Sequence, residues 1–420
     1  MKAPAFRAGQ ARAKNRGVWA RLRSRLKNDK EHTPSSHRKH GNAGFYSSLA
    51  AHSFVHAPGK PVWMGRDYER FADEGYIRNV IAHRAVNLVA GGAANVPFRM
   101  YDVRNGSAIQ IKAHPVLRLL TRPNPFQGGA ELFEGLYAYR MLAGNAYLQA
   151  AGPKEGAPLE LYSLRPDRVS VIAGSQGVPA GYRYSIGERY TDFPVDRMTG
   201  RSKILHLKAF HPLNDWYGLS PIEAAAYSID QHNQAGAWNQ ALLQNGARPS
   251  GALVVKTHEQ GGDMLSDEQY QRIRQQMDEQ FSGAINAGRP LLLEGGLDWR
   301  EMSLSPKDMD FIEAKNSAAR DIALAFGVPP QLLGIPGDNT YSNLAEARLA
   351  LWEQTILPMV DAMCDALNNW LLVHYSEGLE LRYDADNISA LSSRREQVWE
   401  RVNNAGFLSD EEKRELVGLK

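Results

Sequence analysis

Cysteine is nearly absent from this chain, with one residue, Cys364, among 420. A lone thiol excludes an intramolecular disulfide and leaves no CxxC pair to hold zinc, which suits a reducing, intracellular setting. On a helix, Met359, Met363 and Leu367 share its side, so Cys364 reads as a core residue rather than a reactive one. No apolar run approaches the roughly 18 residues that a membrane span needs, so no membrane partner is expected. The phosphate-cradling GxxxxGK[ST] is missing, as are HExxH, GxSxG and GxGxxG. Their absence removes the glycine cradle and lysine of an ATP-driven motor, the helical zinc pair, the nucleophile elbow and the dinucleotide turn. The 12 histidines are scattered, and His206 with His211 has the wrong spacing for two ligands on one helical turn. Asp308, Asp310 and Glu313 are explained by the dipole of the helix they open. The sequence therefore offers no catalytic residue, no metal set and no cofactor motif.

What the chain does have is length enough for more than one domain, taking about 100–200 residues for each. Its hydrophobic content of 43% and charged content of 23% are those of an ordinary globular protein. Charge is distributed unevenly. Residues 1–40 hold twelve Lys and Arg against two acidic residues, so this arm carries +10 and the remainder −7 of the net +3. Val18, Leu22 and Leu26 lie four apart, and a short amphipathic helix there would carry Arg21, Arg23, Arg25 and Lys27 on and beside its polar side. A solvated, disordered tail is the first reading of residues 1–44, and binding to DNA or to an acidic protein surface is the sharper one.

From residue 45 to 218 the patterning is mixed. A helix over Tyr76–Ala90, with Ile77, Val80, Ile81, Arg84, Ala85 and Leu88 on recurring positions, should end at Gly91 and Gly92. Short strands are expected at Pro97–Val103, Ile109–Lys112, Ala146–Ala151, Leu159–Leu164, Arg168–Ile172, Gly181–Ile186 and Lys203–Leu207, with a helix over Gly129–Gly144. Many short strands with few helices argue for an α+β class and against a doubly wound sheet.

Ser220–Asn245 reads as one helix of about 39 Å, opened by Ser220 and Pro221 and stopped by Gly246. It is rich in small residues, such as Ala224, Ala225, Ala235 and Gly236, and in neutral amides, including Gln231, Gln234 and Asn239. Small residues permit close helix approach, and amides wet a surface without fixing ions. A compact insert follows, with a strand Ala252–Lys256, a helix Ser266–Phe281 and a hairpin of Leu291–Glu294 with Leu297–Ser303 through Gly295-Gly296. A second helix, Lys307–Phe326, carries Phe311, Ile312, Lys315, Ala318, Ala319, Ile322 and Phe326 along one stripe, with Arg320 on the surface. Gly327, Pro329 and Pro330 stop it, and Gly334 to Asn343 form a polar turn in which Asp338 is the one charge. Ser342 or Asn343, with Glu346, would cap the next long helix, in which Pro358 makes a kink or restart. Two short helices broken at Gly406, the second capped by Ser409 against Glu412, close the pattern.

Three blocks in this order, HPVLRLLTRPNPFQGGAELFEGLYAYRMLAGNAYL, NDWYGLSPIEAAAYSID with QNGARPSGAL, and DMDFIEAKNSAARDIALAFGVPPQLLG with NTYSNLAEA, resemble the portal proteins of tailed bacteriophages. The resemblance covers about Tyr76 to the end of the chain. It implies a ring of identical subunits, twelve in that family, at one capsid vertex, with double-stranded DNA in its channel. It further implies partners in the terminase large subunit, a head-tail adaptor protein and the major capsid protein, and a place in the virion after assembly in the host bacterial cytoplasm. On this reading residues 45–218 form the wing, 219–246 and 305–327 the stem helices, 247–304 the clip, 328–343 the tunnel loop, 344–390 a long helix returning to the wing, and 391–420 the crown. The channel would then be lined by Ile335, Pro336, Gly337, Asp338, Asn339, Thr340 and Tyr341, with Gln231, Gln234, Asn239, Lys315 and Arg320 on the stem. Two other classes stay open at this point: an enzyme whose Pro/Gly loop is a lid, and a sequence-independent DNA-binding protein acting through its basic arm.

Overall fold

The computed structural model describes residues 68–416, apart from 105–107, 154–155, 175–177, 245–250, 256–265, 269, 274, 276–296, 302–310, 338–340 and 387. The chain enters as a helical turn, Tyr68–Arg70, that passes into a π-helical stretch, Phe71–Ile77, together called α1. The stretch ends where the Arg78 N–H reaches back to the Asp73 carbonyl at 3.0 Å. Asn79 then starts α2, Val80–Ala94, by accepting the N–H groups of Ile81 and Ala82 at 3.1 and 3.0 Å.

This break corrects the expected helix over Tyr76–Ala90. Ending one helix and capping another at Asn79 shifts the phase, so Ala82, Ala85, Val86, Val89, Ala90 and Ala93 face the core while Ile77 and Val80 are exposed. Gly91 and Gly92 do not stop α2 either. A Cβ on Gly92 would lie 2.8 Å from Ile356 Cδ1, so this glycine lets another helix approach closely instead of ending its own.

Among the described residues the sheets are small and antiparallel, as the α+β reading expects. Strand β1 (Phe98–Asp102) pairs with β2 (Ile109–Ile111). A helix not assigned from the sequence, α3 (Pro115–Thr121), follows with His114 as its cap, and α4 (Gly129–Ala143) stops at Gly144 with φ +69°. Strand β3 (Asn145–Ala151) lies between β4 (Glu160–Leu164) and β8 (Ile204–Lys208). The third sheet is a meander of β5 (Val169–Ala173), β6 (Pro179–Ile186) and β7 (Arg189–Pro194). Strand β7 escapes sequence reading because it is a polar, exposed edge with no apolar alternation, joined to β6 by a turn whose Gly187 has φ +59°.

The expected helix over Ser220–Asn245 is interrupted. Ser220 Oγ accepts the Glu223 N–H at 3.0 Å to start α5 (Pro221–Ala224), Ala225 leaves helical geometry at ψ 3°, and α6 runs over Ala226–Gln244. The interruption lets Ile222 pack on Gly75 while Ile229 also enters the core, and both are fully buried. Burial of that kind is worth roughly 1.5–3 kcal/mol for each side chain. Beyond it, β9 (Gly251–Val255) pairs with β10 (Leu297–Glu301). The expected partner strand of β10, Leu291–Glu294, lies outside the described residues.

Helix α7 (Phe311–Ala325) packs on α6, and α8 (Tyr341–Leu351) runs through a π-helical stretch, Trp352–Ile356, into α9 (Leu357–Trp370). The π turn precedes Pro358, which has no N–H for the usual ladder, so the sequence signal of a restart is realised as a widened turn. Residues 344–390 are not helical throughout. Strand β11 (Leu379–Tyr383) returns to pair with β1, and Asp384 at its end forms a largely buried ion pair with Arg99. The chain ends in α10 (Ser392–Asn404) and α11 (Asp410–Leu416). Here the expected capping box is present: Glu412 Oε2 accepts the Ser409 N–H at 2.8 Å, and Ser409 Oγ accepts the Glu412 N–H at 3.2 Å.

One continuous core joins α2 and α4 to Ile222, Ile229, Ile322, Phe326, Ile356, Met363, Leu367 and Leu371. Cys364 belongs to it, and burial, reinforced by Asp361 and Asp365, pushes its thiol up to about 12. A second cluster of Tyr147, Leu164, Val169, Tyr182 and Ile204 fills the space between the two three-stranded sheets on β3 and β6.

Candidate functional site

Helices α6 and α7 and the turn after α7 form one construction. Over residues 226–241, where side-chain burial is described, the exposed positions of α6 are Tyr227, Gln231, Gln234, Ala237, Gln240 and Ala241, which repeat at three- and four-residue intervals and carry no formal charge. The helix's one carboxylate, Asp230, is turned inward and buried. Asn239, expected on the same surface, is half-buried.

The opposite side of α6 is clamped to the start of the described chain by a buried polar cluster. Asn79, only 1% exposed, uses its carbonyl oxygen to cap α2 and both its amide hydrogens on α6. Its Nδ2 donates to Asn233 Oδ1 at 2.9 Å and lies 3.3 Å from His232 Nδ1, while Asn233 Nδ2 donates to the Glu74 carbonyl at 2.9 Å. Burial, with Lys315 nearby, holds His232 below its ordinary value, so a neutral ring presents Nδ1 as the acceptor. Burial and the neighbouring Asp230 raise Glu74. Sequence reading missed this clamp. The available signal was Asn79 directly before an apolar-periodic stretch, which is the pattern of a helix cap.

Helix α7 buries Ala318, Ala319, Ile322 and Ala323 and exposes Glu313, Ser317, Arg320 and Asp321, together with Leu324 and with Ile312, which was expected on the apolar stripe. It stops in a complete Schellman arrangement. Gly327, at φ +64°, donates to the Leu324 carbonyl at 3.0 Å, and Val328 donates to the Ala323 carbonyl at 2.9 Å. Thr355 Oγ1, from the π-helical stretch, donates to the Gly327 carbonyl at 2.6 Å. Pro330–Leu333 then makes a 3₁₀ turn closed by Gly334 at φ +72°.

The turn folds back over α7. Ile335, 4% exposed, packs on Ala319 and Ala323, and the Arg320 guanidinium donates to the Pro336 carbonyl. Two expectations change as a result. The Ile335 side chain anchors the turn instead of being presented outward, because apolar surface is drawn onto the two alanines of α7. Arg320 holds the loop backbone in place, which occupies one of its donors. Pro336 and Gly337 are exposed, and Asp338, Asn339 and Thr340 lie outside the described residues. Tyr341 already belongs to α8, so Ser342 and Asn343 lie in its first turn and not before it. Lys315 is half-buried, and Arg21, Arg23, Arg25 and Lys27 lie outside the described residues.

Among the described residues no cluster of three or more His, Cys, Asp or Glu side chains could hold a metal ion, and no helix is long and apolar enough to cross a membrane. The geometry is that of a braced helix pair, uncharged on the exposed side of α6 and charged on that of α7, with an anchored turn.

Comparison with known proteins gives this arrangement a family. A protein of Rickettsia bellii (strain RML369-C) is 48% identical over 350 residues, covering 83% of this chain and 89% of the relative. A chain from the neck of an empty GTA (gene transfer agent) particle matches with a TM-score of 0.68 and 48% identity, covering 86% of this chain and 96% of that one. A chain from the neck of a native GTA particle computed with C12 symmetry matches with a TM-score of 0.65 and 47% identity over the same shares. The family described as phage portal protein matches residues 81–418, and the chain belongs to that family.

Proposed function

We propose that this chain is the repeating subunit of a portal ring: twelve copies around an axis at one vertex of a phage or gene-transfer particle, through which double-stranded DNA enters and leaves. The observation that carries the reading is the match over 96% of a chain from a particle neck computed with C12 symmetry. The terminase large subunit, a head-tail adaptor and the major capsid protein are the partners that this role requires.

The division of labour proposed here is the one that the resemblance to portal subunits implies. Residues 45–218 serve as wing, 219–246 and 305–327 as stem, 247–304 as clip, 328–343 as tunnel loop, 344–390 as the return to the wing and 391–420 as crown. The role is mechanical, and the surface chemistry suits it. Duplex DNA carries one charge for about every 1.7 Å of axis, and each phosphate neutralised by a fixed cation adds salt-dependent affinity. A wall dense in lysine would retain its cargo, whereas the amide and alanine face of α6 offers hydration without fixed ions. The loop after α7 is held at its base by Ile335 and Arg320, which leaves Pro336 to Thr340 to meet the duplex.

Asp338→Lys tests the placement. In a ring of twelve it replaces twelve negative charges by twelve positive ones beside the DNA, so packaging or ejection should slow, and slow most at low salt. Packaging and ejection kinetics equal to those of the unmodified particle at every salt concentration would refute the tunnel-loop reading.

A further inference from the structure

The loop between β8 and α5 holds two large apolar side chains in water: Phe210 is 84% exposed and Leu213 is 91% exposed. Single apolar residues on a surface are ordinary, but two on one braced loop are a different matter. The bracing is extensive. His211 Nδ1 accepts the Leu213 N–H at 3.0 Å, Lys208 Nζ donates to the Asp215 carbonyl at 2.5 Å, and Asn214 Oδ1 accepts from the Trp216 and Tyr217 N–H groups at 2.9 and 3.1 Å. At the loop's exit the Gly218 N–H is held by Asn145 Oδ1 at 2.8 Å. The backbone of the loop is thereby fixed at several points.

At the other end of β8, about 16 Å away along a five-residue strand, lies a cavity of about 420 Å³. Pro158, Pro194, Val195, Trp370 and Leu371 form its apolar lining, and the Trp370 indole N–H is fixed on the Ser202 carbonyl at 2.8 Å. Arg201 and Lys203 also line it, both exposed; Lys203 has no ion-pair partner among the described residues, while the charge of Arg201 helps to hold the nearby Asp196 carboxylate below its ordinary range. Asp196, the acid in the lining, is occupied by the N–H groups of Met198 and Thr199. The knob loop offers the complementary charge, because the Asp215 carboxylate is exposed and has no ion-pair partner among the described residues.

A closed ring of more than two copies requires a head-to-tail contact between two different patches of the same chain. We propose that the Phe210–Leu213 knob of one copy seats in the Trp370–Pro194 cavity of the next, with Asp215 facing Arg201 and Lys203. The contact rests on the portal-ring reading and names the surfaces that close the ring.

The test uses the full chain, assembled and observed by native mass spectrometry and negative-stain imaging. Phe210→Ser with Leu213→Ser should raise the protein concentration needed for rings by roughly tenfold or more, as expected for central apolar anchors. Both positions are exposed, so circular dichroism of the variant should match that of the unmodified chain. Asp215→Lys should likewise lose rings, and adding Arg201→Asp and Lys203→Asp to it should restore them. Rings from the double-serine variant at the unmodified concentration, or a triple variant no better than Asp215→Lys, would overturn the contact while leaving the ring reading intact. An unmodified chain that forms no rings overturns that reading and the contact together.

Discussion

Asn79 is the residue on which the attachment of α6 depends, and Asn79→Ala measures it. The side chain makes four hydrogen-bonding contacts while almost wholly buried: two as a helix cap and two to α6. Loss of the cap costs about 1 kcal/mol. Loss of the two donations leaves His232 Nδ1 and Asn233 Oδ1 without their donor, and each orphaned buried group costs about 1–3 kcal/mol, with the half-buried Asn233 at the low end. The sum is about 3–5 kcal/mol, a large share of the 5–15 kcal/mol typical of a folded domain. Asn79→Ser separates the parts, because serine restores the cap and not the donations, so it should recover about 1 kcal/mol. Urea unfolding followed by circular dichroism, at one protein concentration because assembly adds stability by mass action, reads both. A double-mutant cycle with Asn233→Ala should give a coupling of about 1 kcal/mol. An Asn79→Ala variant within 1 kcal/mol of the unmodified protein, or a serine variant no better than alanine, would show that the cluster does not hold α6.

Two other perturbations probe the same body. Gly327→Ala places a Cβ at φ +64°, 2.6 Å from Thr355 Oγ1, and should cost about 2–3 kcal/mol. In a Thr355→Ala background the clash is gone and about 1–2 kcal/mol should remain; an undiminished cost there would refute the steric account. His206 is stacked on Tyr147 and its Nε2–H donates to Asn145 Oδ1 at 2.9 Å, and burial, then Lys208, lowers it to about 4. Its folded value lies below the unfolded one, so the unfolded chain binds more protons; stability is full above about pH 6.5 and is lost as pH falls towards 4, by about 3 kcal/mol. His206→Gln should flatten the urea midpoint between pH 6.5 and 4.5, and an unchanged slope would remove His206 as the cause.

Local rules read well wherever the chain punctuates itself. Ser220 before Pro221, Gly144 and Gly327 at helix ends and the Ser409–Glu412 box all appear as the residues require. Reading failed where a distant partner decided the outcome. Strand β11 exists because β1, some 280 residues earlier, supplies its ladder. Gly92 sits mid-helix because Ile356 needs the space. Polar β7 forms because β6 offers an edge.

The amino-acid sequence by itself determined the α+β class, the neutral composition of α6, the stop after α7 and the family, since these depend on residue type and short spacing alone. Tertiary structure decided that Asp230 turns inward, that Ile335 and Arg320 fasten the turn to α7, and that Asn79 ties α6 to α2. Those outcomes depend on which side of a helix meets which neighbour, a matter of burial and hydrogen-bond satisfaction across long separations that no local pattern contains.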